Sequence, residues 1–118
     1  MAEIRRVEAA DTARVAAEIA RLKRAVWPEE RAEVVYLAAA LVQPDRCTVV
    51  AEADGALVGF ADGFLTLAED GSRRWELDLL AVDPVHQGRG LGRALVLACT
   101  EAGRDFDADF ARALIRAS

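Results

Sequence analysis

The chain has 118 residues, of which 53% are hydrophobic and 30% are charged. This length fits one compact domain, and the composition supplies both a core and a solvated surface, which excludes a disordered chain, a collagen-like repeat and a small disulfide-stapled protein. The formal net charge is −5 and the arginines are scattered rather than clustered, so we expect no nucleic-acid partner, although an acidic surface would suit a cationic one.

The sequence favours a cytoplasmic protein. It contains no run of about 18 apolar residues that could span a membrane, and residues 1–6 lack the apolar stretch of a signal peptide. Cys47 and Cys99 show no metal-ligand spacing and are interpreted as small core residues in a reducing compartment. We therefore expect neither a metal site nor a membrane partner.

The first third of the chain predicts a strand and two helices. Residues 3–8 alternate weakly, as in an edge strand, and residues 11–12 supply a helix cap. Apolar residues then recur at the three- and four-residue spacing of an amphipathic helix: Val15, Ile19, Leu22 and Val26. This helix should end near residues 27–28, because proline disfavours helical geometry in the residue before it. A second helix should start at 28–30 and run to about residue 42.

The rest of the chain predicts strands around one further helix. Three strands are expected over residues 47–53, 56–67 and 74–82. Asp54-Gly55 is a strong hairpin signature between the first two. A helix should follow from Leu91, with Gly103 as a candidate stop, and residues 109–117 are interpreted as a last strand. The resulting order β-α-α-β-β-β-α-β defines an α/β or α+β domain with a mixed sheet.

The strongest indication of chemistry lies between the strand predicted over residues 74–82 and the helix predicted from Leu91. Gly88, Gly90 and Gly92 stand at alternate positions between a strand and the first turn of a helix. Glycine permits a positive φ and close approach of a ligand. The first N–H groups of a helix lack internal partners and carry the positive end of its dipole, which suits an anion such as phosphate. Arg89 and Arg93 add positive charge.

Two nucleotide-binding interpretations fit this loop poorly. A phosphate-binding loop of the NTPase type needs a Gly-Lys-Ser/Thr sequence, which is absent here. A dinucleotide fingerprint would place its first glycine directly after the strand, whereas residues 83–87 intervene.

The complete segment 82–95, VDPVHQGRGLGRAL, closely resembles the acyl-CoA-binding motif of the GCN5-related N-acetyltransferase (GNAT) family. The family pattern Gln/Arg-x-x-Gly-x-Gly/Ala is met by Gln87, Gly90 and Gly92. The element order also matches the family fold, β1-α1-α2-β2-β3-β4-α3-β5. The resemblance therefore implies the acyl-CoA N-acyltransferase fold.

The resemblance also implies a set of site residues. The backbone amides that would bind the pyrophosphate of acetyl-CoA belong to Gln87, Gly88, Arg89, Gly90, Leu91, Gly92 and Arg93. The pantetheine arm would pair near Val82, and the amide of Leu80 would polarise the thioester carbonyl. Glu76 is the candidate general base, with Asp78 in reserve. In an unbulged strand, both would share a face with Leu80 and Val82. Against this stands the plainer interpretation of Glu76 as a solvated surface charge.

The implied function is acetyl-CoA-dependent N-acetyltransfer, by direct attack of a primary amine on a small molecule or a peptide. Family domains normally continue with a helix and two strands beyond the last strand seen here, so residues 1–118 are interpreted as a single N-acetyltransferase domain that is incomplete at its C-terminus. The family's usual general-acid tyrosine would lie in that missing part, and Tyr36 matches no such position. This leaves a catalytically silent acyl-CoA-binding or interaction module as the alternative, and a homodimer as one way to complete the sheet.

Overall fold

The computed structural model describes residues 2–29 and 34–116. Its five strands are β1 (Glu3–Arg6), β2 (Arg46–Ala53), β3 (Ala56–Leu67), β4 (Arg73–Val82) and β5 (Phe110–Arg116). Its helices are α1 (Thr12–Val26), α2 (Val34–Leu41) and α3 (Leu91–Arg104), with short 3-10 turns at Ala9–Asp11 and Pro84–His86. The predicted element order is confirmed. Part of the predicted start of the second helix (residue 30) and the predicted end of the last strand (residue 117) lie outside the described residues.

The strands form one mixed sheet in the order β1-β2-β3-β4-β5. Neighbours are antiparallel except β4 and β5, which run parallel. The predicted hairpin between β2 and β3 is confirmed: Asp54 and Gly55 both have positive φ angles, 52° and 79°. Such a pair of angles matches the right-handed twist of the flanking strands, which is why aspartate and glycine are favoured there.

Helices cover both faces of the sheet. Helix α3 packs on one face, where Val49, Leu77 and Leu95 belong to one buried cluster. Helices α1 and α2 cover the other face, where Ile19 and Phe60 belong to a second cluster. We refer below to the α3 face and the α1/α2 face. Among the described helices, none is both long enough and apolar enough to cross a lipid bilayer.

Trp75 organises the core on the α3 face. Its side chain is fully buried and its Nε1 donates a hydrogen bond to the Cys99 carbonyl (2.9 Å). The indole fits because glycine occupies the positions on either side: a Cβ at Gly63 or at Gly103 would lie 2.6 Å from its ring atoms. Trp27 is 5% exposed and lies in the cluster on the α1/α2 face. Both tryptophans are therefore core residues.

A β-bulge interrupts β4 at Asp78. On β3, Asp62 pairs with Leu79 while Gly63 pairs with Leu77, so Asp78 has no partner in the ladder. Such an extra residue shifts the alternation of side chains by one. Leu77 therefore shares the α3 face with Leu80, whereas Leu79 packs on the α1/α2 face.

The bulge corrects one expectation about the candidate base. Alternation in an unbulged strand would place Glu76 on the same face as Leu80 and Val82. In the structure Glu76 precedes the bulge and pairs across β3 with Phe64. It therefore lies on the α1/α2 face, opposite to Leu80 and Val82.

The close packing around Trp75 predicts whether replacing a neighbouring glycine by alanine raises or lowers the free energy of unfolding. Alanine at an ordinary helical site stabilises by up to about 1 kcal/mol relative to glycine. We expect Gly103→Ala instead to lower the free energy of unfolding by about 1–2 kcal/mol, because overpacking against the indole costs about 1–3 kcal/mol. Gly92→Ala is the matched control, since its Cβ would meet only ordinary contacts at 3.8 and 3.9 Å. Urea unfolding measures both, and equal stabilities would contradict the packing argument.

Candidate active site

The loop between β4 and α3 begins with a capped turn and ends with a glycine in the left-handed conformation. The Asp83 carboxylate accepts a hydrogen bond from the Val85 amide (3.0 Å), which caps the short turn that follows β4. Gly88 and Gly90 then adopt positive φ angles of 80° and 81°. A Cβ at either position would meet no atom within 4 Å, so backbone conformation and not crowding requires glycine there.

The side chain of Gln87 fastens this loop to the strand. Its Nε2 donates a hydrogen bond to the carbonyl oxygen of Val82, the last residue of β4 (3.0 Å). The glycine-rich segment is thereby held beside the end of the strand. A donor is required at this position, because a backbone carbonyl can only accept.

Helix α3 starts without a side-chain cap. Gly90 occupies the cap position, and the first backbone hydrogen bond of the helix runs from the Ala94 amide to the Gly90 carbonyl (3.1 Å). In the described part of the chain, the amides of residues 91–93 have no hydrogen-bond partner. Uncapped amides at the positive end of a helix dipole form a site for an anion.

Two arginines beside this helix start have charges available to such an anion. The side chains of Arg89 and Arg93 are exposed and form no ion pair with any described residue. Neither residue lines the cavity next to the loop, but Arg89 borders a neighbouring cavity of about 300 Å³.

A cavity of about 280 Å³ opens beside the loop. Seven of the nine residues that the sequence assigned to acyl-CoA binding line it, together with His86: Leu80, Val82, Gln87, Gly88, Gly90, Leu91 and Gly92. The floor is apolar, since Gly92 lies above the side chains of Leu80 and Val82. The cavity thus joins an apolar channel at the end of β4 to the uncapped start of α3.

The pairing of β4 with β3 determines the direction of the backbone amides of β4 next to this cavity. Backbone groups of successive strand residues point alternately to the two neighbouring strands. The amides of Leu79 and Asp83 both donate towards β3, at 2.9 and 2.8 Å. Leu80 and Val82 therefore direct their amides away from β3. The described residues of β5 pair with β4 as far as Leu79, opposite Arg116, so the Val82 amide lies beyond the described pairing and Leu80 directly follows the last paired residue.

The two candidate bases differ in their surroundings. Glu76 is 6% exposed, and its Oε1 accepts a hydrogen bond from Arg112 Nη2 (2.5 Å). Arg74 Nε lies 2.7 Å from the same oxygen, an ion pair without hydrogen-bond geometry. Glu76 is therefore a buried, paired carboxylate and not a solvated surface charge. Asp78 is half-buried at the bulge and forms no hydrogen bond or ion pair with the described residues.

The structure adds two residues that the sequence analysis did not single out. The carboxylate of Asp62, on β3, is 9% exposed and uses both oxygens: Oδ1 accepts from the Leu79 amide (2.9 Å) and Oδ2 from Arg46 Nη1 (2.6 Å). Burial raises the pKa of Asp62, although Arg46 acts in the opposite direction. The sequence feature that could have pointed to Asp62 is its position in the middle of the apolar run from residue 57 to 64. An acidic residue there is expected to be buried, and a buried acid needs hydrogen-bond or ion-pair partners.

The family assignment agrees with this geometry. Residues 12–116 match the model of the acetyltransferase (GNAT) family. The chain therefore belongs to the acetyltransferase (GNAT) family, whose members are acyl-CoA-dependent N-acetyltransferases, and the predictions of fold and enzyme class are confirmed. No curated protein matches the chain in sequence.

Solved structures of similar fold share about a fifth of the sequence. The ribosomal-protein-alanine N-acetyltransferase of Brucella melitensis biovar Abortus 2308 is 20% identical with a TM-score of 0.77, over 98% of this chain and 82% of that one. An aminoglycoside acetyltransferase from an uncultured soil metagenomic sample, meta-AAC0020, is 20% identical with a TM-score of 0.82, over 99% and 78%. The aminoglycoside N-acetyltransferase AAC(6')-Iy, in complex with CoA, is 21% identical with a TM-score of 0.79, over 100% and 78%.

The uncapped start of α3 predicts how charge at Gly90 changes anion binding. Aspartate and asparagine both tolerate a positive φ and both cap helices, so Gly90→Asp and Gly90→Asn differ essentially in one negative charge. We expect the Kd for CoA to be on the order of tenfold or more higher for Gly90→Asp than for Gly90→Asn, because the carboxylate would face the pyrophosphate. Isothermal titration calorimetry measures this. Equal affinities of the two variants would show that the pyrophosphate does not bind at the start of α3.

Proposed function

We propose that this chain transfers the acetyl group of acetyl-CoA directly to the primary amine of a cationic acceptor. The observation that carries the proposal is the cavity that runs from Leu80 and Val82, at the end of β4, to the uncapped start of α3. An acyl-CoA has the same sequence of parts: an acyl thioester, a narrow pantetheine arm and a pyrophosphate.

Each part of acetyl-CoA has a matching group in the chain. The free amides of residues 91–93 and the flexible glycine backbone before them would bind the pyrophosphate. The amide of Val82 faces the open side of β4, where it can pair with the pantetheine arm. The amide of Leu80 would donate to the thioester carbonyl oxygen, which gains negative charge during attack.

The state of the cysteines supports direct transfer over an acyl-cysteine route. A thiol must lose its proton to act as a nucleophile. Burial raises the pKa of Cys47, and burial raises the pKa of Cys99 to about 12. Both thiols are therefore protonated at neutral pH. In direct transfer the amine nitrogen bonds to the carbonyl carbon, the carbon–sulfur bond breaks, and CoA leaves as the thiolate.

The acceptor amine must first lose a proton, because an ammonium group has no lone pair. We propose that a carboxylate next to the bulge accepts it, with Glu76 and Asp78 as the candidates. The ion pairs of Glu76 involve its Oε1 and leave Oε2 as the atom that could receive a proton. Asp78 has no competing partner among the described residues, and it lies two residues before Leu80 in the sequence.

The charge of the chain favours a cationic acceptor. Its net charge of −5 attracts polycations and repels acidic substrates. An aminoglycoside and a peptide with an N-terminal alanine are suitable first probes, because the fold is shared with acetyltransferases that carry those names. Release of the CoA thiol is followed with and without each amine. Thiol release that depends on the amine supports the proposal, whereas CoA binding without any transfer across the panel supports a silent acyl-CoA-binding module.

Neutral variants of the two carboxylates distinguish the candidate bases. Loss of a general base lowers kcat by about 100-fold or more. We expect one of Glu76→Gln and Asp78→Asn to show this loss while its Kd for acetyl-CoA stays unchanged, and the other to show a much smaller loss. Thermal unfolding of both variants controls for stability, since Glu76→Gln also weakens two ion pairs. If both variants retain full kcat, neither carboxylate is the base.

A further inference from the structure

We propose that Asp62 is a positioning residue for acyl transfer, because its carboxylate holds the bulged strand so that the Leu80 amide points at the thioester. This inference rests on the proposed function. It concerns a residue of β3 that lies outside the cavity, and it acts through the backbone of β4 and not by touching the substrate.

The bulge creates the need for such a residue. Where Asp78 interrupts the ladder, the regular exchange of backbone hydrogen bonds between β3 and β4 is broken. A buried amide without an acceptor is unfavourable. The Asp62 carboxylate fills this gap, since its Oδ1 accepts from the Leu79 amide at 2.9 Å.

This hydrogen bond fixes the orientation of the reactive amide. In extended backbone the N–H groups of successive residues point to opposite sides, so holding the Leu79 amide towards β3 directs the Leu80 amide away from β3. That is the side on which β5 pairs with β4 up to Leu79, and there Leu80 lines the cavity. A donor aimed in advance at the developing charge is effective because it needs no reorganisation during the reaction.

Arg46 holds the carboxylate in place and favours its ionised form. Its Nη1 donates to Asp62 Oδ2 at 2.6 Å, and its guanidinium lies over the Phe64 ring, 5.1 Å from the centroid. Even with this partner, burial raises the pKa of Asp62, so the ionised form is held at a cost in stability.

The hydrogen bonding between Asp62 and Arg46 predicts that a second substitution restores what Asp62→Asn loses. In Asp62→Asn, the amide oxygen turns towards the charged Arg46, because charged hydrogen bonds are about twice as strong as neutral ones. The asparagine NH₂ then faces the Leu79 amide, and two donors meet. Adding Arg46→Met removes the competing charge while keeping a long apolar side chain against Phe64, so the asparagine oxygen can accept from Leu79 again.

The test measures the stretching frequency of the thioester carbonyl, so the acceptor substrate need not be known. Acetyl-CoA labelled with ¹³C at the carbonyl carbon is bound to the full chain, and its carbonyl stretch is recorded by isotope-edited infrared difference spectroscopy. We expect a shift to lower frequency in the wild type. Asp62→Asn should lose at least about half of this shift while the Kd for acetyl-CoA stays within about threefold. The double variant Arg46→Met/Asp62→Asn should recover it.

The alternatives give different results. A full frequency shift in Asp62→Asn, or equal losses in the single and the double variant, overturns the proposal, because a merely structural role would not be rescued by removing Arg46. If Asp62→Asn does not fold, the proposal is tested by the double variant and by hydrogen exchange at the Leu79 amide of the wild type. Hydrogen exchange at Leu79 as fast as at exposed amides overturns the proposal, and protection supports it. Absence of acetyl-CoA binding by the wild type overturns the proposed function instead, and the exchange measurement still tests the Asp62–Leu79 hydrogen bond.

Discussion

The bulge at Asp78 determines which groups of β4 meet which side of the sheet. With one extra residue in the strand, Leu77 and Leu80 both pack under α3, and Glu76 is left on the face covered by α1 and α2. The described pairing of β4 with β5 ends one residue after the bulge, at Leu79, next to the Leu80 position that lines the cavity. Glu76 thereby lies on the face of β4 opposite to Leu80 and Val82, within a few residues of them.

The elements of this fold could be predicted because their patterns are local. Apolar spacing located α1, the Asp54-Gly55 pair located the hairpin, and the glycines of residues 88–92 located the start of α3. The candidate anion site follows from the same stretch of sequence, since its amides and its glycines are neighbours in the chain. Local chemistry of this kind needs no knowledge of the tertiary structure.

The bulge and its supporting residues could not be predicted in this way. Alternation along residues 74–82 is compatible with a regular strand, and only pairing with β3 shows that Asp78 is left out. Asp62 and Arg46 are 16 residues apart, and their contact depends on the register of β2 against β3. The ion pairs of Glu76 likewise need Arg112 from β5, 36 residues away. Long-range register is set by the packing of the whole sheet, which a single motif does not contain.

The central claim is that the cavity between β4 and α3 binds acetyl-CoA through both its thioester arm and its pyrophosphate. The most direct measurement is thermal unfolding of the chain with acetyl-CoA and, as a control, with S-acetylpantetheine, which lacks the pyrophosphate. A ligand at a hundredfold over its Kd stabilises the folded state by about 2.7 kcal/mol. The account predicts a clear rise in Tm with acetyl-CoA and a much smaller rise with S-acetylpantetheine at the same concentration. An unchanged Tm with acetyl-CoA, or equal rises with both compounds, would contradict it.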